Sequence, residues 1–167
     1  KAGDILPFTL AGIALVAYRT ASGTACVVED RCPHVGGSFS QGNVAGENIR
    51  CPIHGFAFDK KGECVETGFA DVTSKACVQQ WPVLDINGLV MVFYHPQGLA
   101  PTWQPEAVNW QGWSEQIMQT ATFPATAQLV MEGIADKGHL ITVHGYSDVR
   151  MDKEFILDGA KLTTAYS

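Results

Sequence analysis

Two things are scarce in this sequence: positive charge and long apolar runs. Only 11 Lys and Arg stand against 17 Asp and Glu, a formal charge of −6, and no basic stretch runs along the chain. Nucleic acid, whose binding rests on neutralising phosphates, is therefore excluded as a partner. The longest apolar run near the start, Leu10 to Tyr18, falls far short of the ~20 residues a membrane span needs. No charged segment precedes a cleavable apolar stretch, so no signal peptide is expected. The first residue is Lys1 rather than Met, and the expectation is a piece of a longer protein. Cysteines are few and odd in number: Cys26, Cys32, Cys51, Cys64 and Cys77. An odd count argues against a disulfide framework and for reduced thiols in a cytoplasmic protein. What the chain does have is 46% apolar residues over 167 positions. That suffices for one domain, or for one small domain with part of another.

Short strand-like segments fill the first hundred residues. Gly12 to Arg19 and Ala25 to Asp30 flank the polar turn Ala21-Ser22-Gly23-Thr24, and Asn87-Gly88 between Trp81–Ile86 and Leu89–Tyr94 predicts a hairpin. Two Gly/Pro-rich loops lie around residues 32–43 and 51–55. Pro96, Gly98, Pro101 and Pro105 mark a boundary near 95–105. Beyond it, Trp103, Trp110 and Trp113 suggest a second, aromatic packing layer. Residues 125–140 read as helix, with apolar Leu129, Val130, Ile134 and Leu140. Phe155 to Tyr166 reads as strand, with a turn at Asp158-Gly159.

The strongest chemical signal is Cys32-Pro33-His34, then sixteen residues, then Cys51-Pro52-Ile53-His54. Two thiolates suit one iron of a 2Fe-2S pair and two imidazoles suit the other. Each loop then gives one ligand to each iron. The prolines stiffen the loops, and Gly36, Gly37 and Gly55 let backbone N–H groups approach the sulfides. A structural Cys2His2 zinc site is the competing reading, although Cys-x-His is an unusual zinc pair.

The flanking residues separate the two. Cys32-Pro33-His34-Val35-Gly36-Gly37 and Cys51-Pro52-Ile53-His54-Gly55-Phe56-Ala57-Phe58-Asp59 closely resemble the Rieske domain of ring-hydroxylating non-heme iron oxygenases, over roughly residues 1–95. The resemblance implies a mainly β Rieske domain at 1–98, a β-sandwich with cluster-binding loops. It implies that 99–167 begin an α+β catalytic domain of the helix-grip type. Respiratory Rieske proteins add a disulfide between the loops and Ser and Tyr hydroxyls after the second. Here the corresponding positions are Phe56 and Phe58. Fewer hydrogen bonds to the sulfurs predict a potential at the low end of the Rieske range, roughly −150 mV rather than +300 mV. The oxygenases usually carry Trp where Phe56 stands. Cys26, Cys64 and Cys77 lie outside the ligand pattern, and Cys26 and Cys77 are expected to be small buried core residues.

Asp136-Lys137-Gly138-His139 followed by His144 forms Asp-x-x-His-x4-His. Two imidazoles and a carboxylate are the facial triad of iron(II) oxygenases. On the resemblance, His139 and His144 bind a mononuclear iron(II). Asp136 is not a ligand but links the two metal centres, accepting hydrogen bonds from His139 and from His54 of the partner subunit in a homotrimer. Asp136 and His139 are expected on one helix face. His139 and His144 are about 140° apart on an ideal helix, so the helix must end or bulge between them. The third iron ligand of the family is an Asp beyond Ser167, and Glu132, Asp148, Asp152 and Asp158 do not match it. The fragment alone is therefore expected to be inactive.

Met131 to Leu140 looks most like the ketosteroid hydroxylases and cholesterol desaturases, with Gly133 where members often carry Asn. Aromatic-acid demethylases and aromatic dioxygenases remain as alternatives. The implied partners are O2, a hydrophobic small molecule, and a ferredoxin or NAD(P)H-dependent reductase as electron donor. A Rieske ferredoxin that only carries electrons is the second function class. Carriers of that type end near residue 100 and lack the Asp-x-x-His-x4-His segment.

Overall fold

The computed structural model describes all residues from Lys1 to Ser167, and they divide into two compact units, Lys1–Asn109 and Trp110–Ser167. The first unit is built from short antiparallel strands. β1 (Ile5–Leu10), β2 (Ile13–Arg19) and β3 (Ala25–Glu29) form one sheet in sequence order. A second sheet runs β4 (Asn43–Ala45), β5 (Asn48–Arg50), β6 (Ala57–Phe58) and β7 (Cys64–Glu66), and β8 (Val83–Ile86) pairs with β9 (Leu89–Val92) as a separate hairpin.

The β2–β3 register explains the core. Val16 pairs with Val28 and Tyr18 with Cys26, so four buried side chains share one face. They pack with Phe39, Ile49, Phe56, Phe58, Val78 and the two cysteines Cys32 and Cys51. Leu15 and Val27, at the alternate positions, are also fully buried. The two strands are thus covered on both faces and read as continuous apolar runs. Phe39, on a short 3-10 turn (Phe39–Gln41), meets Phe58 edge-on at 5.5 Å between ring centres.

The Asn87-Gly88 hairpin forms as its sequence predicts. Both residues have positive φ (56° and 75°), the geometry of a type I′ turn. The Asn87 side chain also donates to the Glu106 carbonyl (2.9 Å) and accepts from Val108 N (2.8 Å), holding the segment after Pro101 to the first unit. Arg19 donates to Asp85 at 2.5 Å and ties this hairpin to the first sheet.

The second unit holds α1 (Ala127–Ala135), α2 (Lys137–Thr142) and the hairpin of β10 (Met151–Asp158) with β11 (Lys161–Tyr166). Three sequence expectations need correction. The helix expected over 125–140 breaks at Asp136, whose extended backbone (ψ 106°) ends α1 and starts α2. The tryptophans form no buried layer: Trp103, Trp110 and Trp113 are all exposed, and Trp110 meets Trp113 edge-on. Cys26 is buried but Cys77 is exposed. It sits on an isolated bridge to Glu63 rather than in a strand. No helix is long and apolar enough to cross a membrane.

Phe58 joins the core to the site, since it leaves the second ligand loop and is fully buried. Phe58→Ala is expected to destabilise the first unit by about 3–5 kcal/mol, read as a lower urea midpoint. An unchanged midpoint would remove the ring from the core.

Candidate functional site

The two cysteine loops are closed by the same pair of backbone hydrogen bonds. In the first, Cys32 N donates to the Gly37 carbonyl (2.7 Å) and Gly36 N to the Cys32 carbonyl (2.8 Å). In the second, Cys51 N donates to the Phe56 carbonyl (2.8 Å) and Gly55 N to the Cys51 carbonyl (3.1 Å). Gly36 and Gly55 hold matching positions with φ of 81° and 72°, a left-handed backbone that favours glycine. The second loop bridges β5 and β6, whose register pairs Ile49 with Phe58 and Arg50 with Ala57.

A charged side chain braces each loop. The Asp30 carboxylate accepts from Ser38 Oγ (2.9 Å) and Ser40 N (2.8 Å), drawing together the chain on both sides of the first loop. Arg50 reaches the Gly55 carbonyl (3.4 Å) and pairs with both oxygens of Glu66 (2.9 and 2.6 Å).

These closures bring the four predicted donors together as two unlike pairs. The thiols of Cys32 and Cys51 are buried in the core. Burial pushes the Cys32 thiol up to about 11, and its hydrogen bond with Cys51 adds to the rise. The Cys32 thiol must therefore lose its proton when a metal binds. The imidazoles of His34 and His54 are exposed, with ring centres 5.0 Å apart. His34 lies flat on buried Phe56 at 4.1 Å. No three His, Cys, Asp or Glu groups converge as the shell of a single ion. Two thiolates inside and two imidazoles outside fit a two-iron cluster, with one iron on each pair, better than one tetrahedral zinc. Close approach is built in: a Cβ on Gly37 would lie 2.9 Å from Cys51 Sγ.

Sequence reasoning missed a third loop. Gly68 (φ 72°) passes so close to the second ligand loop that a Cβ there would lie 2.0 Å from the His54 carbonyl oxygen. Buried Thr67 anchors the turn through its hydroxyl, which reaches the Val72 carbonyl at 2.8 Å. Phe69 stands over His54 and Phe56, at 6.2 and 6.4 Å between ring centres. The one local signal was Thr67-Gly68, a hydroxyl followed by a left-handed glycine.

In the second unit, the predicted pair His139 and His144 lie with ring centres 5.0 Å apart. α2 stops at Thr142, and His144 N bonds back to the His139 carbonyl (3.3 Å), an i→i+5 closure of π type. That closure, followed by Gly145 at φ 69°, turns the second imidazole toward the first. Asp136 does not share a helix face with His139. It caps α2, its Oδ1 accepting from Gly138 N (2.8 Å), because its extended backbone frees the side chain to do so. Its backbone carbonyl lies 2.8 Å from His139 Nδ1. A carbonyl only accepts, so Nδ1 carries the proton and Nε2 is the basic nitrogen. A backbone partner of this kind fixes the ring of a metal-binding histidine.

Comparison with known proteins agrees with this architecture. The Rieske [2Fe-2S] domain family matches residues 1–82. Cholesterol 7-desaturase nvd of Hemicentrotus pulcherrimus is 32% identical over 152 residues, 86% of this chain and 32% of its own length. The oxygenase component of a probable 3-ketosteroid-9-alpha-monooxygenase of Rhodococcus rhodochrous is 29% identical, over 80% of this chain and 35% of its own. Among solved structures, dicamba monooxygenase with non-heme iron and dicamba is 27% identical with a TM-score of 0.55, covering 61% of this chain and 32% of that one. The same enzyme bound to 3,6-dichlorosalicylic acid shares the fold over 97% of this chain and 50% of that one, at 20% identity and a TM-score of 0.71. Residues 1–82 of this chain are a Rieske [2Fe-2S] domain, and the relatives it resembles over most of its length are named as a desaturase and as the oxygenase component of a monooxygenase. It spans about a third of the length of the curated relatives it matches.

The third loop gives a direct test. Gly68→Ala sets a methyl against the His54 carbonyl at a φ that alanine resists. It is expected to cost more than ~1 kcal/mol of stability and to lower iron and acid-labile sulfide per chain. Wild-type iron and sulfide content in the variant would contradict this account of the loop.

Proposed function

We propose that the chain is the front part of a terminal oxygenase component. In this reading Cys32, His34, Cys51 and His54 hold the 2Fe-2S cluster, residues 1–98 form its domain, and 99–167 begin the catalytic domain. His139 and His144 hold a mononuclear iron(II). The observation that carries the reading is the coexistence of two sites in one chain. The cysteine loops alone suit an electron carrier, but a carrier has no use for the imidazole pair of His139 in α2 and His144 just after it.

The bound metal groups supply one-electron transfer and O2 activation. The chain's own residues do the rest. Cys32 and Cys51 bury the thiolate side in the core, and His34 and His54 bring the other side to the surface, where a redox partner can approach. The Asp136 carbonyl holds His139 with Nε2 available. The Asp136 carboxylate, one oxygen of which is taken by Gly138, is proposed as the link to His54 of the partner subunit in a homotrimer. Phe56 and Phe58, without hydroxyls near the sulfurs, suit a low-potential cluster fed by a ferredoxin or an NAD(P)H-dependent reductase. Relatives named for cholesterol and 3-ketosteroids favour a hydrophobic, steroid-like substrate, and the resemblance to dicamba monooxygenase keeps an aromatic one as the second reading. An odd count of five cysteines suits a reducing, cytoplasmic setting.

Purified protein is expected to be brown, with equal iron and acid-labile sulfide. Its reduced form should give the low average g-value of mixed Cys/His ligation. Cys32→Ser should abolish the signal. One zinc and no sulfide would overturn the cluster assignment.

For the second site, His144→Ala in the full-length protein should remove mononuclear iron and product formation while the cluster signal persists. Asp136→Asn should keep both metals and slow cluster oxidation in single turnover by orders of magnitude. Full turnover in the first variant, or an unchanged rate in the second, would contradict these roles.

A further inference from the structure

Asp30 and Arg50 both brace a ligand loop, but they do it differently. Asp30 works through two serines and no cation. Arg50 works through a bidentate ion pair, placed where β5 enters the second loop, next to Cys51. Its Nη1 touches the carbonyl of Gly55, the residue after His54. Glu66 takes both guanidinium nitrogens at the end of β7, beside Thr67 and the third loop. A cation and an anion thus stand together at the base of the loop that carries one thiolate and one imidazole. Glu66 is half-exposed and Arg50 less so, at 51% and 30%. The pair is partly screened but not fully solvated.

We propose that Arg50 and Glu66 act on the reduction potential of the cluster on the second loop with opposite signs, each charge offsetting the other. The inference rests on the ligand assignment proposed above. Reduction adds one negative charge to the site, so a nearby cation favours the reduced state and a nearby anion opposes it. Together the two charges largely cancel. Removing one leaves the other uncompensated, and the sign of the shift depends on which one is removed.

The signs separate this role from plain bracing. Arg50→Gln leaves Glu66 alone, and the potential falls. Glu66→Gln leaves Arg50 alone, and the potential rises. Each shift is expected to be up to about tenfold in the reduction equilibrium, which is about 59 mV for a one-electron couple. The double variant returns toward wild type, and salt shrinks both single shifts. A mere brace predicts otherwise, because either single variant breaks the same bidentate contact and should shift the potential the same way or not at all.

The experiment is a spectroelectrochemical titration at pH 7 of wild type, the two single variants and the double variant. EPR of each reduced sample confirms that the cluster is intact. Arg50→Lys is the second control: it keeps the charge and loses the fork, so its potential should stay near wild type. Opposite shifts with restoration in the double variant are the expected result. Intact clusters with same-sign shifts, with no shifts, or with Arg50→Lys shifted as far as Arg50→Gln would overturn the proposal. If Arg50→Gln loads no cluster, the sign for Glu66→Gln and the value for Arg50→Lys still decide. A wild type without the Rieske EPR signal defeats the ligand assignment itself, a failure visible before any titration.

Discussion

Two backbone hydrogen bonds at each cysteine carry the rest of the site. Cys32 and Cys51 each donate through N and accept through O within their own loop, around a glycine with positive φ. That closure fixes the direction of Cα–Cβ at both cysteines and sends both thiols into the core formed with Val16, Val28, Phe39, Ile49 and Phe58. The histidines then have only one way to go. At the third position of one turn and the fourth of the other, they emerge on the solvent side with their rings edge-on, 5.0 Å between centres. A different loop closure would change which donors are buried, and with them the chemistry.

The resulting polarity suits electron transfer. On the proposed ligand assignment the cysteine side would lie where water is excluded and the histidine side at the surface, within reach of a partner. Bracing from outside the loops holds that geometry. Asp30 holds the first loop, Arg50 and Glu66 hold the second, and Thr67 to Phe69 press against His54.

Much of the candidate site could be read from the sequence because residue type is chemistry and spacing is local. Cys32, His34, Cys51 and His54 declared themselves by residue type, and Asn87-Gly88 declared its hairpin by turn geometry. What escaped depended on distant contacts or on competition between local preferences. The third loop gains its meaning from a carbonyl fourteen residues before Gly68, His54, which no local pattern announces. Cys77 looked like a strand residue but lies on an isolated bridge with its side chain exposed. Residues 125–140 kept a helical period throughout, yet Asp136 preferred to cap Gly138 over continuing the helix. The spacing of His139 and His144 did require a helix end or a bulge between them, and the structure has both: α2 stops at Thr142 and His144 N bonds back to the His139 carbonyl.

The central claim is that two buried thiols and two exposed imidazoles divide one pair of irons between them. Mössbauer spectroscopy of the 57Fe-loaded protein, oxidised and reduced, tests it most directly. The account predicts two inequivalent ferric sites in equal amounts, one sulfur-ligated and one nitrogen-ligated, with the reducing electron localised on the nitrogen-ligated iron. Two equivalent sites, or a single mononuclear iron in the cysteine loops, would contradict it.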